Sequence, residues 1–260
     1  MNASEIRRHI EMRLAGAHVD LYPYPHLIVE NFFPPAVFDD MLRLNLFKKS
    51  PGVDWIARAH MAKTGNTTPY DHRKQINFHD NRGFAAGDDE VGFWQEIKKT
   101  FLGDTWFPKL VYGLFPEYFA IRFGEAVFLD AFWDKFRPEL FLQRHEPNYY
   151  IGPHTDIGTR VFTVIFSLAD RPGFEEFGTQ ILRHKDPFVR SLGRTHHGFE
   201  DFELIKTAPY KPNNFLLFFK TSQSFHAVKT ITPDVPNERY GMQYQFYEPQ
   251  GGVFREISAA

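Results

Sequence analysis

The chain contains no cysteine, which excludes a disulfide framework and any thiolate metal site. A transition metal in this protein would have to be held by nitrogen and oxygen, and the 12 histidines can supply the nitrogen. A strong charge of either sign is also missing. The formal net charge is -2, which gives no electrostatic case for a nucleic-acid surface or an anionic membrane. No apolar run is long enough to span a bilayer. The first sixteen residues carry Arg7, Arg8 and Arg13 and read as neither a signal peptide nor an anchor, so a cytoplasmic location is expected. Internal repeats and low-complexity tracts are absent as well.

What is present is apolar and aromatic mass. Hydrophobic residues make up 43% of 260 positions and include 29 Phe. That is enough for a sizeable core and a deep apolar pocket, and the length fits a single domain over 1–260. Residues 4–15 read as an amphipathic helix with Ile6, Ile10 and Leu14 on one stripe. His26 to Phe33 reads as a strand closed by Pro34 and Pro35, and 35–47 as a helix. Residues 48–90 are rich in Gly, Asp, Asn and His and suggest loops with short strands. Helical periodicity then runs in two pieces, Val91 to Phe101 and about Gly124 to Phe136.

After Pro138 the pattern changes to short strands broken by turns. Arg160 to Leu168 and Phe215 to Phe219 are apolar runs, and Arg239 to Tyr247 alternates. Tyr240, Met242, Tyr244 and Phe246 share one face of that last segment. Arg239, Gly241, Gln243, Gln245 and Tyr247 share the other. The expected architecture is α+β. Residues 1–138 supply helices, substrate-side elements and part of a sheet, and 139–250 form a β-rich sandwich or barrel core.

His154-Thr155-Asp156 and the distant His226 carry the chemistry. Residues i and i+2 of an extended segment point the same way, so His154 and Asp156 can grip one ion while His226 completes a triangular face. Two histidines and one carboxylate with open positions are the ligand set of non-haem Fe(II) oxygenases. The chain has three His-x-Asp triplets, at His18, His154 and His184, so context must choose among them. His18-Val19-Asp20 precedes a proline-rich turn. His184-Lys185-Asp186 leaves little chain before His226. His154-Thr155-Asp156 follows Gly152-Pro153, precedes the strongest strand, and leaves room for several strands before His226.

In this context the residues resemble the Fe(II)/2-oxoglutarate-dependent oxygenases, in particular the prolyl-hydroxylase-like branch. The resemblance covers about 139–250. Pro153-His154-Thr155-Asp156 resembles the first metal-ligand segment, and Arg160-Val161-Phe162-Thr163 the strand after it. Glu176-Phe177-Gly178-Thr179 resembles the following Gly-rich turn, and Ser224-Phe225-His226-Ala227-Val228 the strand that delivers the last histidine. Arg239 falls thirteen residues later, where the family places a basic residue for 2-oxoglutarate. Gly241 stands where Ser or Thr is common, and His145 takes the place of a common upstream Tyr.

The resemblance implies a double-stranded β-helix (jelly-roll) core flanked by N-terminal helices, with Fe(II) on His154, Asp156 and His226. It further implies that 2-oxoglutarate and O2 are co-substrates, that succinate and CO2 are co-products, and that an unactivated C–H of a small-molecule or peptide-like substrate is hydroxylated. Arg239 would pair with the far carboxylate of 2-oxoglutarate, since a guanidinium fork matches a carboxylate. Lys220 and, less favourably, Lys229 are alternative anchors. Thr163 and Gln143 are candidate co-substrate contacts, and Tyr149 and Tyr150 candidate pocket walls. Arg73, Asn77 and His79 are candidate substrate contacts, and His196-His197 a candidate lid. Trp55, Trp94, Trp106 and Trp133 read as core or pocket wall. A zinc hydrolase using the same ligands, or a non-catalytic jelly-roll binding protein, are the rival readings. No pattern points to a particular oligomeric state.

Overall fold

The computed structural model describes residues 1–49, 72–79, 88–193, 195–232 and 238–249. The first helix, α1 (Ala3–Ala15), starts at a capping box in which the Asn2 side chain accepts from the Glu5 amide and Glu5 accepts from the Asn2 amide. Its buried stripe is Ile6, Ile10 and Leu14, as the spacing predicts. Strand β1 (His26–Glu30) follows, then α2 (Pro35–Arg43) and the short α3 (Leu46–Lys49). The helix expected over 35–47 is therefore broken. The cause is Asn45, whose side-chain oxygen accepts from the Phe47 amide at 3.0 Å and starts a new turn.

Strand β2 (Arg73–Asn77) and helices α4 (Asp88–Leu102), α5 (Trp106–Leu114) and α6 (Pro116–Phe123) come next. A 3-10 turn at Gly124–Phe128 and the four-residue α7 (Asp130–Trp133) complete the helical part. This corrects the second helical piece expected over 124–136. The long helices lie upstream, and α6 stops at Gly124, whose φ of 63° a side-chain-bearing residue adopts at a cost. Pro108 and Gly113 conceal α5 in the sequence. Pro108 is tolerated because it sits in the first turn, where the amide has no intrahelical acceptor.

The remaining strands are β3 (Arg137–His145), β4 (Ile151–His154), β5 (Arg160–Ser167), β6 (Thr179–His184), β7 (Phe202–Ala208), β8 (Asn214–Phe219), β9 (His226–Val228) and β10 (Arg239–Tyr247). Among the described residues all strand pairings are antiparallel and form two sheets. The larger has the order β1-β8-β5-β10-β3-β2 and the smaller β4-β9-β6-β7. From β3 onward the chain passes back and forth between the sheets, which is the winding of a double-stranded β-helix, or jelly roll.

The large sheet is covered on both faces, so its central strands are buried throughout. On one face Phe162, Val164, Phe166, Phe215, Leu217, Met242, Tyr244 and Phe246 pack against Ile10 of α1, Met41 of α2, Trp94 and Phe101 of α4, and Phe119 of α6. On the other face Ile165, Leu216 and Phe218 meet Ile181 and Ala208 of the small sheet. The helix layer is tied to the end of β10 by Arg122, whose Nε donates to Glu248 at 2.6 Å with both side chains buried. Trp94 and Trp133 are core residues, while Trp106 donates to Glu11 at the surface. Trp55 lies outside the described residues. No described helix is long and apolar enough to cross a membrane.

Candidate metal centre

Between the two sheets, on the face of the large sheet that turns away from the helices, lies a cavity of about 610 Å³. His154 and His226 enter it from paired positions. β4 and β9 run antiparallel with His154 opposite His226, and their ring centroids are 4.3 Å apart. The strand ends at His154, so the turn after it, rather than strand alternation, brings Asp156 alongside. That turn is fixed from behind. The Thr155 hydroxyl donates to the Ser191 carbonyl at 3.1 Å. Gly193, at φ 84°, lies so close that an added Cβ would stand 2.7 Å from the Asp156 carbonyl oxygen. One ligand atom from each of His154, Asp156 and His226 lies within 4.8 Å of the others.

Both imidazoles are oriented by the backbone. His154 Nδ1 lies 2.8 Å from the Gly152 carbonyl and His226 Nδ1 lies 3.0 Å from the Ser224 carbonyl. A carbonyl only accepts, so each Nδ1 carries the proton and each Nε2 keeps its lone pair for a metal. Burial, helped by the neighbouring His226, holds His154 well below the usual imidazole range, so it is neutral. Burial likewise lowers His226. His196 stacks on His154 with centroids 4.9 Å apart and lines the cavity, whereas His197 packs against Phe202 and Phe225.

Asp156 has its own retinue. Burial alone would raise its pKa. The Arg160 guanidinium at 3.5 Å and the Thr163 hydroxyl outweigh that and hold the carboxyl well below the usual carboxylate range. The Thr163 hydroxyl donates to Asp156 Oδ2 at 2.6 Å and accepts from Arg160 at 2.8 Å. Arg160 donates to the Tyr247 hydroxyl at 2.6 Å. The Thr163 proton is thus directed at the Asp156 carboxylate rather than into the open cavity. Sequence reasoning assigns Arg160 no role; the available signal is a basic residue four positions after Asp156, at the mouth of the next strand.

Arg239 lines the cavity and is buried, as are Arg73 and Gln143. Gln143 Nε2 donates to Gln243 at 2.9 Å and to Gln75 at 3.2 Å. Of the three candidate anchors, Arg239 alone lines this cavity. Lys220 Nζ is spent on the carbonyls of Ser191 and Thr221, and Lys229 faces Glu176 and the Phe177 ring. Gly241 leaves little spare room, because an added Cβ would lie 3.1 Å from the Phe166 carbonyl oxygen. Tyr149 lines the cavity, while Tyr150 is exposed. Asn77 and His79 are not part of the wall; His79 is engaged with the Pro138 carbonyl. The His18 and His184 triplets remain at the surface.

No protein-family model matches the chain, and no curated protein matches it. Solved structures do. The Fe(II)/α-ketoglutarate-dependent dioxygenase TqaL superposes with a TM-score of 0.50 at 14% identity, over 99% of this chain and 96% of that one. A Pseudomonas putida prolyl-4-hydroxylase gives a TM-score of 0.48 at 9% identity, over 93% and 99%. A full-length Neurospora crassa protein in complex with α-ketoglutarate gives 0.43 at 18% identity, over 99% and 82%. The likeness to TqaL, across nearly the whole of both chains, shows a shared fold.

Proposed function

We propose that this chain is a non-haem Fe(II)/2-oxoglutarate-dependent oxygenase that hydroxylates an unactivated C–H of a small-molecule or peptide-like substrate, working as one domain over 1–260. The observation that carries the reading is the convergence of His154, Asp156 and His226. Both Nε2 lone pairs are freed by carbonyl contacts and the carboxylate is held ionised. This donor set fits Fe(II), and two neutral imidazoles with one carboxylate on one side leave other positions open. Bound Fe(II) would supply the oxidising power through 2-oxoglutarate and O2, with succinate and CO2 released.

The protein's part is placement. Thr163 and Arg160 hold the Asp156 carboxylate in one orientation. Arg239 receives the far carboxylate of 2-oxoglutarate, and Gln143 with Gln243 forms the polar wall beside it. Ile151, Ile165 and Val228 give the cavity apolar lining, which limits water around the reacting groups. The fold shared with TqaL, an Fe(II)/α-ketoglutarate-dependent dioxygenase, agrees with this reading. A zinc hydrolase is less favoured, because it leaves the buried guanidiniums of Arg73 and Arg239 in the cavity wall without a task.

The test is turnover of the co-substrate without knowledge of the substrate. Purified protein with Fe(II), 2-oxoglutarate and O2 is expected to form succinate slowly, and His226→Ala to form none. Tight Zn(II) binding with no succinate under any condition would replace this reading with a metal-hydrolase one.

A further inference from the structure

The cavity wall holds more positive charge than one co-substrate anchor explains. The wall contains three guanidiniums, Arg73, Arg160 and Arg239, and one carboxylate, Asp156. Arg160 is matched by Asp156. Arg73 and Arg239 have no acidic partner among the described residues, although both are more than nine-tenths buried. Burying a guanidinium without a counter-charge is costly, so this pair marks a place where a ligand brings the negative charge.

Register explains how the two meet. Arg73 of β2 pairs with His145 of β3, and His145 pairs with Arg239 of β10. Residues directly opposite one another in antiparallel strands share a face. The three side chains therefore stand in one row across three adjacent strands, all facing the cavity. Arg239 donates from NH1 to His145 Nδ1 at 2.7 Å. A guanidinium only donates, so Nδ1 must carry the lone pair. Burial, reinforced by Arg239 and Arg73, keeps this imidazole well below its ordinary pKa. It is neutral, and its one proton sits on Nε2. That Nε2–H, the Nε–H of Arg239 and the Nε–H of Arg73 are all buried and without a hydrogen-bond partner among the described residues. Tyr149 braces the row. Its ring stacks on His145 at 4.1 Å, and the Arg73 guanidinium lies 5.9 Å from its centre.

Building on the oxygenase reading, we propose that Arg73, His145 and Arg239 form a single clamp for the distal carboxylate of 2-oxoglutarate, with Arg73 as a second guanidinium supplied by the N-terminal strand β2. A carboxylate has two oxygens and about four acceptor sites, enough to accept from all three side chains. Two guanidiniums and one neutral donor select a 2-oxo acid with a second carboxylate over one without. The same chemistry could receive a carboxylate on the oxidised substrate instead, and the experiment separates these sources.

Affinities of 2-oxoglutarate and of 2-oxobutyrate, which lacks the distal carboxylate, are measured by anaerobic calorimetry on the Fe(II)-loaded full chain. Arg73→Gln is expected to weaken 2-oxoglutarate binding by about tenfold or more, as loss of a charged hydrogen bond implies. 2-Oxobutyrate affinity, Fe(II) affinity and melting temperature should hold, and Arg73→Lys should recover part of the loss. Unchanged 2-oxoglutarate affinity in Arg73→Gln overturns the clamp and leaves Arg73 to a substrate carboxylate. Equal losses for both acids overturn it too, by making Arg73 a structural support. Absence of 2-oxoglutarate binding in the unaltered protein would instead defeat the oxygenase reading itself.

Discussion

The two faces of the six-stranded sheet are made by the same strands and have opposite characters. Toward the helices, β5 and β10 present Phe162, Val164, Phe166, Met242, Tyr244 and Phe246 to a continuous apolar core. Toward the cavity they present Thr163, Arg239, Gln243, Gln245 and Tyr247, of which all but Thr163 line it directly. One face gains free energy by excluding water. The other holds buried polar groups, some without partners, whose cost is tolerable because the first face is so well packed. Stability and chemistry are thus separated by the two-residue period of a strand, and substitutions on adjacent residues should have different consequences.

The sharpest break should come at His226. His226→Ala removes one of the three proposed ligands and should weaken Fe(II) affinity by more than about a hundredfold, beyond the loss expected for a supporting residue. The metal-free protein should still unfold in urea near the wild-type midpoint. Phe162→Ala inverts that result. It opens a hole in the helix-side core and should cost about 3–5 kcal/mol in urea denaturation, while the folded protein binds Fe(II) as before. Thr163→Val, one residue along the same strand, belongs to the cavity face. Loss of its hydrogen bond to Asp156 should weaken Fe(II) binding by about tenfold to a hundredfold, with a smaller change in stability than Phe162→Ala.

The smallest effect sharpens the comparison from the helix side. The Tyr244 hydroxyl is buried there without a partner among the described residues. Tyr244→Phe removes an unsatisfied polar group and should leave stability unchanged or raise it by about 1 kcal/mol, measured as a shift in the thermal midpoint. A clear loss of stability would mean that the hydroxyl has an unseen role in the core.

Much of this division is legible in the sequence. The alternation over Arg239 to Tyr247 sorts those residues onto the two faces the structure gives them. The order and spacing of His154, Asp156 and His226 pick out the residues that converge. Both signals are local patterns or follow from chain order. What stays hidden depends on non-local register. Arg73 sits in a polar stretch that reads as loops with short strands and offers it only as a candidate substrate contact, and the pairing of β2 with β3 and of β3 with β10 brings it into the row with Arg239. Thr163 reads from the sequence as a candidate co-substrate contact. Its proton goes to Asp156 because the turn after β4 brings that carboxylate over it, which periodicity cannot express. α5 is obscured because Pro108 and Gly113 look like breakers until the helix start is known.

The central claim is that His154, Asp156 and His226 hold an iron to which 2-oxoglutarate binds directly. The most direct measurement is the visible spectrum of the metal-free protein titrated with Fe(II) and then 2-oxoglutarate in the absence of oxygen. A weak charge-transfer band that appears only when both are present, and is absent in His226→Ala, is the predicted result. Iron demonstrably bound with no band on adding 2-oxoglutarate would contradict the account.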